Sequence, residues 1–228
     1  MFPADRARTP EVVDLHKVRA RDLTPLLEEE IAEWRARLSW DFRPSADLVR
    51  RYVAMQSLAG FALVSGGAVL GYSYLVHDEA KGLIGDLFLM SAERTPANEL
   101  LLLEAAVSEM FEQAAVDRVE SQLMLVRPLP RPSIPYQRWL RIHPRNYMMI
   151  ETRRAFGLEP APAARKAQIE TWSPRRLEEA AEVITEAYRA HVDGDVNDQY
   201  LSLAGARRFL NNLMQYPGCG AFFQPASH

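Results

Sequence analysis

Phe61-Ala-Leu-Val-Ser-Gly-Gly-Ala-Val-Leu-Gly-Tyr-Ser-Tyr-Leu-Val76 holds two apolar runs separated by Ser65-Gly66-Gly67. Such runs joined by a two-glycine turn read as an antiparallel hairpin, because glycine adopts the positive φ that a tight turn demands. The wider stretch from Val53 to Val76 carries no charge and is nominally long enough to cross a bilayer. Gly60, Gly66, Gly67 and Gly71, with Ser57 and Ser65 between them, punctuate it too heavily for a spanning helix. The stretch is expected to form the core of a sheet.

Downstream of the hairpin, Gly82-Leu-Ile-Gly-Asp-Leu-Phe-Leu-Met90 reads as a long, mostly buried strand. Thr95-Pro96 opens a helix with proline in its first turn, continuing through Leu100–Leu103, Ala106, Val107 and Met110. Arg118 to Val126 returns to strand. Upstream, Val12 to Val18 alternates as a short strand. Arg21 to Leu38 places Leu23, Leu26, Leu27, Ile31 and Trp34 at helical spacing. A second helix starts at Ser45 or Asp47 and runs through Leu48, Tyr52, Val53 and Met55. The order strand, helix, helix, strand, strand, strand, helix, strand predicts an α/β (α+β) fold around a mixed sheet.

The whole chain has 228 residues, of which 48% are apolar and 25% charged, as in an ordinary folded protein. A net charge of −3 gives no electrostatic case for nucleic acid. One cysteine, Cys219, excludes a disulfide framework within the chain and any multi-cysteine metal site. Asp5, Arg6 and Arg8 have no apolar run behind them, so a cytoplasmic location and no membrane association are expected. From Arg127 to Pro144, Pro128, Pro130, Pro132 and Pro135 break regular structure, and Asn146–Thr152 is expected to rejoin the sheet. The arginine-rich run from Arg127 to Arg154 lacks aromatics interleaved on a strand face, as a nucleic-acid surface would have them, and reads as a solvated loop or a domain contact.

After a linker at 159–166, the beginning is echoed at an offset of 154. Arg21, Leu23, Glu28 and Asp41 meet Arg175, Leu177, Glu182 and Asp195, and Trp34 faces Tyr188. A strand from Gln168 to Trp172, helices including Leu201–Met214 and a strand at Gly220–Phe223 would repeat the first units. The expected organisation is one domain over 1–158 and an incomplete second over 167–228. A lone strand near His228 would leave an open sheet edge, so the chain is expected to be part of a longer tandem protein.

Arg94-Thr-Pro-Ala-Asn-Glu99 follows the buried strand and opens the helix. With the element order, it resembles the GNAT superfamily of acetyl-CoA-dependent N-acetyltransferases. That family's phosphate motif is Gln or Arg, two residues, Gly, any residue, then Gly or Ala. The arginine is in place, Ala97 replaces the first glycine and Glu99 the last small residue. Read from its residues alone, the segment is a Thr95 helix cap followed by Pro96.

The resemblance implies acetyl-CoA as co-substrate, held by Phe88, Leu89, Met90, Arg94, Thr95, Ala97 and Asn98. It also implies a base on the strand, for which Asp86 is the carboxylate available. The family's tyrosine acid has no clear match, Tyr136 and Tyr147 being the phenols at hand. The segment from His191 to Tyr200 falls where the family builds an acceptor wall, so Asp193, Asp195 and Tyr200 are expected to hold a small-molecule or peptide amine. Asp193, Asp195 and Asn197 also resemble part of a calcium loop, but position 204 is alanine where the distal glutamate belongs. No metal is expected, and a homodimer is left open. The rival expectation is a non-catalytic binding or scaffold module on a degenerate acetyltransferase fold, with Glu99 in its favour.

Overall fold

The structure is a computed structural model that describes residues 9–113, 115–127, 134–159, 161–162, 164–166 and 168–216. Cys219, the strand expected at Gly220–Phe223, and Pro128, Pro130, Arg131 and Pro132 lie outside the described residues. The chain divides into two compact units, Met1–Ile142 and His143–His228.

In the first unit, β1 (Glu11–Asp14) is followed by α1 (Thr24–Leu38) and α2 (Arg43–Ala54). Then come β2 (Ala59–Ser65), β3 (Ala68–Asp78), β4 (Lys81–Leu89), α3 (Pro96–Glu112) and β5 (Arg118–Ser121). The five strands lie in one sheet in chain order, antiparallel from β1 to β4, with β5 parallel to β4 across the α3 crossover. This is the mixed α/β sheet flanked by helices that the element order predicts. Gly66 and Gly67 close the β2–β3 hairpin at φ 59° and 85°, a conformation L side chains resist.

Helices cover both faces of the sheet. On one, Leu23, Leu26, Leu27 and Ile31 of α1 and Ala46, Val49 and Val53 of α2 pack with Ala62, Val69, Tyr72 and Phe88. On the other, Leu102 of α3 packs with Leu63, Leu70, Leu87 and Leu89, and Ala106, Val107 and Met110 with Leu75 and Ile84. Alternation along β4 thus sends Phe88 toward α1 and Leu87 and Leu89 toward α3. The β3–β4 register slips by one: Tyr74 pairs with Asp86 and Leu75 with Ile84, leaving Gly85 as a bulge residue. A Cβ on Gly85 would sit 2.0 Å from Tyr74 Cε2, so the bulge and the tyrosine ring fit only around a glycine.

Several expected elements are shorter or absent. The first strand stops at Asp14, whose side chain accepts from the His16 N–H and starts a single tight turn. β5 ends at Ser121 where its pairing with β4 ends, so Gln122–Val126 are not strand. Asn146–Ile150 forms no strand, and neither does Gln168–Trp172. The described part of the second unit is helical: α4 (Thr152–Ala155), α5 (Leu177–Ala187), α6 (Val192–Val196) and α7 (Leu203–Gln215). Two amphipathic helices follow in the order the repeat predicts, but a partial second copy of the sheet fold is not evident among the described residues. No helix among the described residues is long and apolar enough to cross a membrane.

Candidate functional site

Past Ile84 and Ser121 the two parallel strands part. β5 ends, and the Ser121 hydroxyl donates to the Ile84 carbonyl at 2.8 Å. β4 stays paired with β3 as far as Leu89, so on its other edge residues 85–89 have no strand partner among the described residues. This notch carries Asp86, and α3 begins just beyond its end. Thr95 caps α3, its side chain accepting from the Asn98 N–H at 3.2 Å, with Pro96 in the first turn. A helix start of this kind concentrates donors and partial positive charge.

Asp86 is 4% exposed, and its Oδ1 accepts from the Leu87 N–H at 2.7 Å. Beside it lies Glu30 of α1, 0% exposed, whose carboxyl feels the Asp86 charge. The Tyr72 hydroxyl donates to Glu30 Oε2 at 2.9 Å and Trp34 Nε1 to Oε1 at 3.4 Å. Burial pushes Glu30 well above the usual carboxylate range, and the neighbouring Asp86 charge pushes it further. Burial raises Asp86 as well, while Glu30 and the Leu87 amide pull it back. Tyr72 and Tyr74 are raised by burial and by the same two carboxyls.

Arg94 is held by the chain's own groups. Its Nη1 and Nη2 donate to Glu33 Oε1 and Oε2 at 2.6 and 2.5 Å, and Nη2 also donates to the Leu89 carbonyl at 2.9 Å. The guanidinium lies 5.0 Å from the Phe88 ring centroid. Glu33 also accepts from Arg37 at 2.8 Å. The Arg94 guanidinium, held in two bonds, keeps the Glu33 carboxyl below its usual range. One turn earlier on α1, Glu29 Oε1 accepts from the Ser91 N–H at 2.5 Å. Glu99, 3% exposed in the first turn of α3, sits in the field of Arg94 and Arg127 and is raised by burial. Three carboxylates of the chain therefore surround the segment where the resemblance expects a diphosphate.

Of the other expected cofactor residues, Phe88 and Leu89 are buried, Met90 and Asn98 half-buried, and Thr95 and Ala97 exposed. Asn98 Nδ2 donates to the Glu93 carbonyl at 2.7 Å. Asp193, Asp195 and Tyr200 belong to the second unit. Asp193 is ion-paired with Arg145, which lowers its carboxyl, and Asp195 is exposed at the end of α6. Tyr200 stacks on Tyr188 at 4.4 Å and meets Phe209 edge-on at 5.0 Å, and burial raises its phenol. Tyr136 stacks on Phe111 at 4.7 Å and reaches the Ser108 hydroxyl at 3.1 Å, a packing role within the first unit. Among the described residues no three His, Cys, Asp or Glu side chains gather to hold a metal.

The sequence reading singled out Asp86 and Arg94 but not Glu30 or Glu33. Glu30 did carry a signal, since it falls on the apolar stripe of α1 between Leu27 and Ile31 and before Trp34.

No protein-family model and no curated protein matches the chain. Solved structures of similar fold include a GCN5-related N-acetyltransferase from Ralstonia eutropha JMP134, at 16% identity over 73% of this chain and 98% of that one, with a TM-score of 0.42. A GNAT-family acetyltransferase from Streptococcus pneumoniae TIGR4 aligns at 13% identity over 73% and 99%, with a TM-score of 0.37. A ribosomal-protein-alanine N-acetyltransferase from Brucella melitensis biovar Abortus 2308 aligns at 12% identity over 64% and 99%, with a TM-score of 0.39.

Proposed function

We propose that the chain is an N-acetyltransferase-like protein, built for transfer of an acetyl group from acetyl-CoA to a small-molecule or peptide amine. The observation that carries this reading is the parting of β4 from β5 beside Asp86, immediately ahead of the capped start of α3. An open strand edge can pair with the amide groups of a pantetheine arm, and a helix start suits its diphosphate. An acceptor amine is protonated at neutral pH and must lose a proton before attack, which needs a base. Asp86 is the carboxyl on that stretch of β4. The fit to acetyl-CoA has one condition: the Arg94 charge is already paired with Glu33, so a diphosphate has to compete with that carboxylate for it.

That condition favours a second reading, a non-catalytic binding module on the same fold. Arg94 already gives two hydrogen bonds to Glu33 and one to the Leu89 carbonyl and lies over Phe88, and Glu99 puts a carboxyl where the family motif has a small residue. Calorimetric titration of the 228-residue chain with acetyl-CoA and with CoA separates the two. Micromolar binding that Arg94→Ala weakens at least about tenfold, the loss of roughly one charge-assisted hydrogen bond, supports the enzyme. No heat and no thermal shift at millimolar acetyl-CoA would overturn it and leave the binding module.

A further inference from the structure

The carboxyls of Glu30 and Asp86 come from different elements, α1 and β4, and meet inside the core. The groups facing them are Trp34 from α1, Tyr72 and Tyr74 from β3, and the Leu87 N–H from β4. None of these is a cation. Both are buried, Glu30 at 0% and Asp86 at 4% exposure, and an ionised carboxylate offers only acceptors, so two carboxyls packed together with no cation are held by a proton between them. Two bare charges side by side away from water are also far too costly to persist. Tyr72 donates to Glu30 Oε2, Trp34 more distantly to Glu30 Oε1, and the Leu87 amide to Asp86 Oδ1; each of these oxygens keeps a second lone pair, so a proton held between the two carboxyls displaces none of the three donors.

We propose that Glu30 and Asp86 form one acid–base unit holding a single shared proton and a single negative charge across neutral pH, with Glu30 the positioning partner of Asp86. Its use in catalysis rests on the reading of Asp86 as the base; the proton inventory does not. When the unit takes a proton from an ammonium acceptor, the acceptor becomes a neutral amine and the unit passes from one proton to two and from charge −1 to 0. Loss of that proton to water restores the starting state. The Tyr72 hydroxyl and the Leu87 amide fix the two carboxyls, so the proton moves between held atoms.

The test is side-chain carboxyl ¹³C NMR of the full chain, following Glu30 and Asp86 as pH is varied. The expected result is one net negative charge for the pair near pH 7, with both resonances sensing two coupled steps on either side of neutrality. Glu30→Gln keeps a donor toward Asp86 and an acceptor for Tyr72, giving up only the long 3.4 Å bond from Trp34, and should collapse the Asp86 curve to one step on the acid side. Both carboxyls ionised near pH 7, or two independent titrations in the ordinary carboxylate range, would overturn the proposal. If the variant does not fold, the wild-type curve alone decides. The outcome is independent of the acetyl-CoA titration, so the failure of one reading is distinguishable from the failure of the other.

Discussion

Glu30 and Glu33 stand within one turn of α1 and meet opposite electrostatic fates. Glu30 has no cation and is raised by burial, whereas Glu33 lies between Arg94 and Arg37 and is lowered. A lowered carboxyl contributes stability that is present above its unfolded value of about 4.3 and is lost as pH falls through the folded value. Arg94→Met should therefore cost about 2–3 kcal/mol near pH 7, the range of a charge-assisted hydrogen bond in a partly buried site. The gap between the variant and the wild type should then close below about pH 4.3. Urea midpoints measured across the acid range check this; a gap that stays constant with pH would show that Arg94 acts through packing on Phe88 rather than through Glu33. These partnerships were hidden in the sequence for a physical reason. Arg94 and Glu33 are 61 residues apart and Tyr72 and Glu30 are 42 apart, so only the folded sheet brings each pair together. Glu28-Glu-Glu30 reads locally as a solvated run, although its last member lies on the buried stripe.

The strands depend on close backbone approach as much as on apolar burial. Gly60, the second residue of β2, has φ +149°, and a Cβ there would lie 2.2 Å from the Ser73 carbonyl oxygen and 2.8 Å from Tyr74 Cα. Main-chain atoms of a central strand cannot step aside as a flexible side chain can. Gly60→Ala should cost about 2–4 kcal/mol, combining strain at positive φ with overpacking. Gly66→Ala in the hairpin, where nothing lies within 4 Å, should cost only the left-handed backbone penalty of about 1–2 kcal/mol. Equal losses for the two variants, measured by chemical denaturation, would sink the close-approach argument. The hairpin, both long strands and α3 were legible because each announces itself locally, through Ser65-Gly66-Gly67, unbroken apolar runs and Thr95-Pro96. The strand ends were not legible. β5 stops where its parallel partner turns away, and Tyr147-Met-Met-Ile150 has the composition of a strand without a strand to pair with.

The two units differ in how much apolar surface holds them. The first buries leucines, valines, Tyr72, Phe88 and Met110 on both faces of its sheet. Among the described residues of the second, Ala181 and Ala206 are the buried apolar side chains, while Ile169, Val183 and Leu201 are exposed at 79%, 67% and 55%. Its helices α5 and α7 are linked by the Arg207–Glu178 pair, which is solvent-exposed and contributes about 0–1 kcal/mol. Tyr188, Tyr200 and Phe209 add one small aromatic cluster. Cooperative protection follows buried apolar area, at about 25 cal/mol per Å². Native-state hydrogen exchange should therefore find the β3 and β4 amides opening only with global unfolding of the first unit. The α5 and α7 amides should exchange at least ~100-fold faster, a difference of about 2.7 kcal/mol in opening free energy. Equal protection across both units would mean that the helices share a core with groups outside the described residues. A fast second unit beside a slow first one would instead place the stable scaffold, with its β4 notch and carboxyl pair, in the first unit alone.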